Sequence, residues 1–361
     1  MLRQGLLTWY ATAGRDLPWR ESRDPYPIWV SEIMLQQTQV QTVLPYFAQW
    51  MAAFPSVASL AAADLQAVLS LWQGLGYYRR AVHLHQAAQQ IQTHHGGVFP
   101  QDFDQVLALP GIGRSTAGAI LSAAFNQPYP ILDGNVKRVV ARLVALEVPP
   151  ARGMPRLWDV ATQLVDPHNA RDYNQAVMDL GATVCTRRRP ACDVCPWSPY
   201  CLAYPSGLQE QLPMIEARSP LPHKTVGVGV VWNDQGEVLI DQRPAAGLLA
   251  HLWEFPGGKQ ELGEPITACI QRELREELGI EVTVGPHLLT LDHAYTHFKV
   301  TLIVHHCRHY AGEPRPIECQ AIRWVRPADL DNYPFPAANQ RIINQIRAVG
   351  QPEWIPPQSE G

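Results

Sequence analysis

From the start of the chain to about residue 204, apolar residues recur at intervals of three and four, in segments punctuated by proline or glycine and rich in alanine. That period is helical, so residues 1–204 are predicted to form an all-α domain. Over 205–222 the periodicity lapses, and the stretch AYPSGLQEQLPMIEARSPLP (203–222) gathers four prolines, which predicts an extended linker. Beyond it the texture changes to short β-branched runs, KTVGVGVVW, EVLIDQR and KVTLIVHHC, with one strongly helical segment, ITACIQRELREELG, before the last of them. Residues 223–349 are therefore read as an α/β domain, and 350–361, with its QPEWIPPQSEG sequence, as a disordered tail. No internal repeat interrupts this order.

A length of 361 residues fits two or three domains, each able to bury a core. No run of 18 apolar residues occurs, so no membrane helix is expected. The N-terminal MLRQGLLTWYATAGRD lacks the apolar stretch and small-residue cleavage site of a secretion signal, which points to a cytoplasmic protein. The net charge of -4 conceals an asymmetry: residues 1–205 hold 16 basic against 14 acidic side chains, and 206–361 hold 13 against 19. A near-neutral first half is no electrostatic proof of nucleic-acid binding, which needs a clustered basic face. Arg187, Arg188 and Arg189 are the best local candidate.

Those arginines lie inside the run CTRRRPACDVCPWSPYC, whose cysteines Cys185, Cys192, Cys195 and Cys201 are spaced C-x6-C-x2-C-x5-C. Thiolates this close hold either a [4Fe-4S] cluster or a structural zinc. Zinc sites more often show two C-x2-C pairs, and this run has one, so the spacing favours the cluster. Such a run also argues against an oxidising compartment. Cys269, Cys307 and Cys319 are scattered and read as small buried hydrophobes.

Three further features carry chemistry. LPGIGRSTAGAI (109–120) sets Gly111 and Gly113 in a turn opening onto a small-residue helix, where backbone N–H groups can meet a phosphate; an ordinary interhelical turn has the same look. Glu32 sits among Ile28, Trp29, Val30, Ile33, Met34 and Leu35, where desolvation would raise its pKa and suit it to donating a proton, unless it is simply a first-turn acid favoured by a helix dipole. Asp133 directly precedes the helical pattern NVKRVVARLVAL and reads as an N-cap. A helix N-terminus keeps such a carboxylate ionised, and an ionised carboxylate suits an oxocarbenium-like sugar.

The hairpin, followed by LDGNVKRV (132–139) and the four-cysteine run, resembles the helix–hairpin–helix DNA glycosylase superfamily over most of residues 1–205. Within it, RDLPWR (15–20), WVSEIMLQQTQV (29–40), GLGYYRRA (74–81) and YNQAVMDLGATVC (173–185) resemble the MutY family of adenine glycosylases. That resemblance implies a bacterial, nucleoid-associated, monomeric enzyme. It would bind duplex DNA holding A:8-oxoguanine or A:G mispairs, flip the adenine into a pocket and carry one [4Fe-4S] cluster. It also implies that Glu32 protonates adenine and later activates water, while Asp133 stabilises or transiently traps the sugar cation. Arg15, Leu17, Trp19, Arg20, Ser115 and Gln175 match pocket positions. Gln37, Thr38, Leu75 and Tyr77 match positions that meet 8-oxoguanine and fill the duplex; for Leu75 and Tyr77 a place in the hydrophobic core is the plain alternative. Ser115 stands where bifunctional members place a Schiff-base lysine, so a monofunctional glycosylase is expected. Lys137 is read as a phosphate contact.

Residues 258–280, GKQELGEPITACIQRELREELGI, fit the Nudix box at every specified position. At i, i+3 and i+4, Glu273, Glu276 and Glu277 share one helix face and can gather Mg2+; a solvated acidic face paired with Arg272 and Arg275 is the plain alternative. The second half thus resembles the MutT-type Nudix domains with which MutY enzymes end, but those have generally lost the acidic box. Glu318 matches a further MutT catalytic glutamate, and Asn339 the residue that reads an oxidised guanine. In AYTHFKV (294–300), Tyr295, Thr296 and His297 resemble the MutY loop that meets 8-oxoguanine; Thr296 keeps the hydroxyl. An additional 8-oxo-dGTP pyrophosphohydrolase activity follows as an expectation. The competing readings are a nucleotide hydrolase with a DNA-targeting module and a non-catalytic lesion-binding protein; neither needs the Glu32 and Asp133 pair.

Overall fold

Short acidic and hydroxyl side chains start many of the helices. Asp24, Ser56, Asp64, Asp102 and Asp133 each accept a backbone N–H from the first turn that follows, satisfying donors that an α-helix leaves unpaired. The computed structural model describes residues 1–216, 220–295 and 298–354. Its helices up to residue 179 are α1 (Leu2–Ala13), α2 (Pro25–Met34), α3 (Val40–Ala53), α4 (Val57–Ala61), α5 (Leu65–Trp72), α6 (Arg79–His94), α7 (Phe103–Leu107), α8 (Arg114–Phe125), α9 (Gly134–Leu143), α10 (Met154–Leu164) and α11 (Ala170–Asp179). The chain divides into two compact units, Met1–Ala63 with His83–Arg218, and Asp64–Val82 with Ser219–Gly361.

In the first unit α8 is the buried hub, packed by α2, α7 and α11. Its composition explains how: RSTAGAILSAAF buries Ala117 through Ala124 without a large aromatic, so neighbouring backbones approach closely. Gly118 is required there, because a Cβ would lie 2.5 Å from the Pro130 carbonyl oxygen. The core is completed by α9, α10 and α11 and reaches Trp197 of the cysteine run, whose indole N–H donates to the Leu2 carbonyl at 3.0 Å.

The second unit is built on a seven-stranded mixed sheet of β1 (His223–Trp232), β2 (Val238–Gln242), β3 (Trp253–Glu254), β4 (Gly257–Lys259), β5 (Glu281–Ala294), β6 (Lys299–Ala311) and β7 (Ala321–Val325). The path runs β3-β2-β1-β6-β5, with β1 and β6 parallel, β4 added to β1 and β7 to β2. Alternation along β1 sorts its side chains: Val228, Val230 and Trp232 join the core under α13 (Ala337–Val349), and Val231 joins the core under α12 (Ile266–Leu278). Gly227 and Gly229 let α12 approach, since a Cβ on them would meet Ile270 at 2.9 Å and Leu274 at 3.1 Å.

The all-α and α/β classes expected from the two periodicities are both present, in that order. Three boundaries differ. Asp64–Val82, inside the helical half, clusters with the second unit. Residues 205–212, expected as extended linker, form turns against α9, because Leu212 is buried and its carbonyl accepts from the buried Arg142 guanidinium at 2.8 Å. In the expected tail, Trp354 packs against the α13 core and over Gly285, where a Cβ would meet its ring at 2.6 Å; 355–361 lie outside the described residues.

Candidate active site

A cavity of about 920 Å³ opens in the first unit between α2, α8, α9 and α11. Glu32 and Asp133, separated by about half the length of the helical domain, both line it. So do Arg15, Leu17, Trp19, Arg20, Thr38, Ser115 and Gln175, which the sequence had singled out. Gln37 does not; it is exposed, with a left-handed φ of 59°. Leu75 and Tyr77 belong to the second unit.

Glu32 lies in the last turn of α2, so the first-turn reading of this acid is wrong: the negative end of the helix dipole disfavours its ionisation. Burial pushes its carboxyl up to about 7, the nearby Asp133 charge adds to the rise and Arg20 opposes it. Asp133 does cap α9, accepting the Val136 N–H at 2.7 Å. Its pKa departs from expectation: burial raises it, against the backbone donors of Val136 and Asn135 and the charges of Arg138 and Lys137. Asp133 keeps the opposing donors, and its charge lifts Glu32, so the two environments suit Glu32 to the role of acid and Asp133 to that of ionised partner.

Ser115 acts on Asp133 through the backbone. Its Oγ accepts the Leu132 N–H at 2.9 Å, fixing the residue before the cap. Gly111 has a φ of 79° and no room for a side chain, because a Cβ would lie 2.9 Å from His83. Gly113 is the N-cap of α8. Lys137 lies in the first turn of α9, outside the cavity lining.

Asp179 was missed by sequence reasoning. Fully buried at the end of α11, it accepts Arg20 Nη1 and Nη2 at 2.8 Å each, and Arg15 through its backbone N–H at 2.9 Å and Nε at 2.7 Å. Burial alone would raise its pKa; the arginine hydrogen bonds and charges override that and hold it below the ordinary carboxylate value. An aspartate within the apolar run AVMDLGATV was the available signal, since a buried charge demands partners. Tyr10, also missed, donates its hydroxyl to Gln175 Oε1 at 2.8 Å.

Two arginines of α9 join this site to the cysteine run. Arg138 donates to Asn135 Oδ1 at 2.9 Å and to the Cys185 carbonyl at 2.8 Å. Arg142 donates to Cys185 Sγ at 3.3 Å and to the carbonyls of Thr186 at 2.6 Å and Arg187 at 3.2 Å. Cys185, Cys192, Cys195 and Cys201 line one small cavity with Arg142. Among the described residues no three His, Cys, Asp or Glu side chains are gathered round a single ion position. Arg187, Arg188 and Arg189 are exposed.

In the second unit Arg272 pairs with Glu264 at 2.8 Å, Glu273 at 2.9 Å and Glu276 at 3.0 Å, while Arg275 pairs with Glu281. The pairing that the plain reading anticipated holds for Arg272, whereas Arg275 turns to Glu281 on β5, and the pairing coexists with a buried acidic cluster. Glu277 is pushed up to about 8 by burial and by the charges of Glu273, Glu254 and Glu318. Asp241 and Glu254, which the sequence reading did not name, are raised as well, and Asp241 Oδ1 is buried without a hydrogen-bond partner. Gly258 gives Glu273 its place, for any Cβ there would overlap the carboxylate. Asn339 is buried and accepts the Phe255 N–H at 3.3 Å. Thr296 and His297 lie outside the described residues.

Residues 30–158 match the HhH-GPD superfamily of base excision DNA repair proteins, 185–201 the iron-sulfur binding domain of endonuclease III, and 227–345 the NUDIX domain. An adenine DNA glycosylase of Rattus norvegicus is 35% identical over 94% of this chain and 77% of its own length. The chain belongs to the adenine DNA glycosylase family. The glycosylase is 36% identical to the Homo sapiens relative over 94% of this chain and 73% of that one, and 32% to the Schizosaccharomyces pombe relative over 91% and 86%. A solved thermostable thymine-DNA glycosylase superposes with a TM-score of 0.53 at 28% identity, covering 56% of this chain and 95% of that one. An endonuclease III trapped on DNA has a TM-score of 0.50 at 19% identity over 57% and 95%, a likeness of fold. The glycosylase is a hydrolase acting on adenine in DNA. Among its described residues no helix is long and apolar enough to cross a membrane.

Proposed function

We propose that this glycosylase releases adenine mispaired with 8-oxoguanine or guanine in duplex DNA, without cleaving the strand. The observation that carries the reading is one cavity holding a carboxyl raised to about 7 beside a capped carboxylate. With adenine flipped into the cavity, protonated Glu32 donates to N7 and the glycosidic bond breaks as the ring accepts the electron pair. Asp133, held by two backbone donors, stabilises the oxocarbenium-like sugar. Glu32, now ionised, takes the proton of the attacking water. Arg15, Arg20 and Gln175 are locked by Asp179 and Tyr10, so the pocket is organised before the base arrives. Ser115 offers no amine for an imine with the sugar.

Gln37, Thr38, Leu75, Tyr77 and Thr296 are proposed to meet the opposite base, and Gly111, Gly113, Lys137 and Arg187–Arg189 the phosphates. Cys185, Cys192, Cys195 and Cys201 fit one [4Fe-4S] cluster: they share a cavity, and Arg142 directs an N–H at Cys185 Sγ. Bound there, the cluster would brace the loop that presents the three arginines. Single-turnover adenine release opposite 8-oxoguanine, G and T tests the mispair reading; equal rates on all three would refute it.

A second reading rests on the acidic cluster. Glu273, Glu276, Glu277 and Glu318 would hold Mg2+, and Asn339 a purine base, for hydrolysis of 8-oxo-dGTP to the monophosphate and pyrophosphate. The raised, mutually repelling carboxyls of Asp241, Glu254 and Glu277 support it, because a divalent cation relieves that repulsion. The test is Mg2+-dependent hydrolysis by the full chain with Glu276→Gln as blank; no difference between the two would remove this activity.

A further inference from the structure

The turn from Gln73 to Tyr78 carries Leu75 and Tyr77 and is built against local preference. Gly74 and Gly76 have φ of 99° and 70°, and Tyr77, a bulky residue, has φ of 48° while the residue is 46% exposed. Such a conformation persists only where surrounding contacts over-determine it. One brace is internal: Trp72 Nε1 donates to the Gly76 carbonyl at 3.0 Å, and Arg80 donates to Leu75 and Gly76 carbonyls at 3.2 and 3.0 Å. Its guanidinium carbon lies 5.1 Å from the Trp72 ring centre and 5.6 Å from that of Tyr77.

The other brace comes from the Nudix half of the same compact unit. Gln73 Nε2 donates to Gln340 Oε1 at 3.1 Å, one residue past Asn339. The Tyr78 hydroxyl donates to the Phe335 carbonyl and accepts the Gly74 N–H, both at 3.2 Å, so it ties the turn's first glycine to the far segment. At the start of α5, Gln66 accepts Trp253 Nε1 at 3.0 Å and donates to the His251 carbonyl at 3.2 Å. These are side-chain amides and a hydroxyl bonded to an amide, an indole and two backbone carbonyls, not incidental apolar packing.

We propose that Gln66, Gln73 and Tyr78 are positioning residues through which the Nudix half sets the pose of Tyr77, and so the enzyme's preference for the base opposite adenine. This rests on Tyr77 meeting the opposite base, as proposed above. The Nudix half then contributes to selectivity by holding a glycosylase element, in addition to any contact its own loop makes with the lesion.

The test uses the full chain and compares adenine release and duplex affinity for A opposite 8-oxoguanine and opposite G. Gln340→Leu and Tyr78→Phe each remove hydrogen bonds of the brace at nearly constant volume. Gln340→Leu removes one hydrogen bond and Tyr78→Phe two, so each is expected to lower the 8-oxoguanine preference by at least about tenfold, with the pH profile of adenine release, set by Glu32, unmoved. Gln340→Glu keeps the acceptor and is expected to retain the preference, which a purely structural role would not single out. Unchanged preference in both Gln340→Leu and Tyr78→Phe, with Tyr77→Ala impaired, overturns the brace alone. Unchanged preference in Tyr77→Ala overturns the reading of Tyr77 and the brace with it.

Discussion

Asp179 receives the Arg20 guanidinium as a two-pronged pair, Nη1 to Oδ2 and Nη2 to Oδ1, both at 2.8 Å, with no side-chain exposure of its own. Removing one partner of such a pair leaves a buried charge uncompensated. Asp179→Asn is expected to cost about 3–5 kcal/mol in urea unfolding and to slow adenine release as well, because Arg15 and Arg20 line the cavity. Wild-type stability in the variant would show that the pair contributes nothing net.

The same pair gives a pH signature. The folded-state pKa of Asp179 is depressed, so its stabilisation is present above the unfolded value, about 3.9, and is lost as pH falls through the lower folded value. Acid unfolding of Asp179→Asn is expected to be shallower than that of wild type across that window. Parallel acid transitions would contradict the linkage.

Ser115 is expected to matter through the backbone N–H it accepts, not through covalent chemistry. Ser115→Ala leaves the Leu132 N–H without its partner, a loss of about 1–3 kcal/mol, and should reduce release by displacing Asp133. Borohydride should trap little wild-type enzyme on DNA at the rate of adenine release, and strand cleavage at that rate without base or heat would contradict the monofunctional assignment.

Packing at the hub gives a fourth test. Gly118→Ala places a methyl 2.5 Å from the Pro130 carbonyl oxygen, an overpacking expected to cost about 1–3 kcal/mol. Thermal unfolding measures it directly, and a neutral substitution would mean that the α8 contact relaxes freely.

Periodicity carried the fold classes, since helical spacing and β-branched alternation record which face each element buries. Asp133 was legible as a cap because capping is local in sequence. Its raised pKa was not, because it stems from burial in a cavity whose lining is mostly far from Asp133 along the chain. Glu32 shows the same limit: its apolar neighbours suggested desolvation, but only the helix boundary placed it in the last turn. Asp179 and Tyr10 escaped notice because their roles consist of partners more than 100 residues away. The attachment of Gln66, Gln73 and Tyr78 to the Nudix half was equally invisible, since glutamine and tyrosine carry no signal of a distant amide or carbonyl.

The most direct measurement is single-turnover adenine release from an A:8-oxoguanine duplex as a function of pH, for wild type and Glu32→Gln. Glu32 serves first as an acid, so the wild-type rate is expected to be high below about pH 7 and to fall as pH rises through its raised pKa. Glu32→Gln should be slower by roughly 10²–10⁴-fold and lose that inflection. A variant that releases adenine at the wild-type rate, or one that keeps the inflection near 7, would place the proton donor elsewhere.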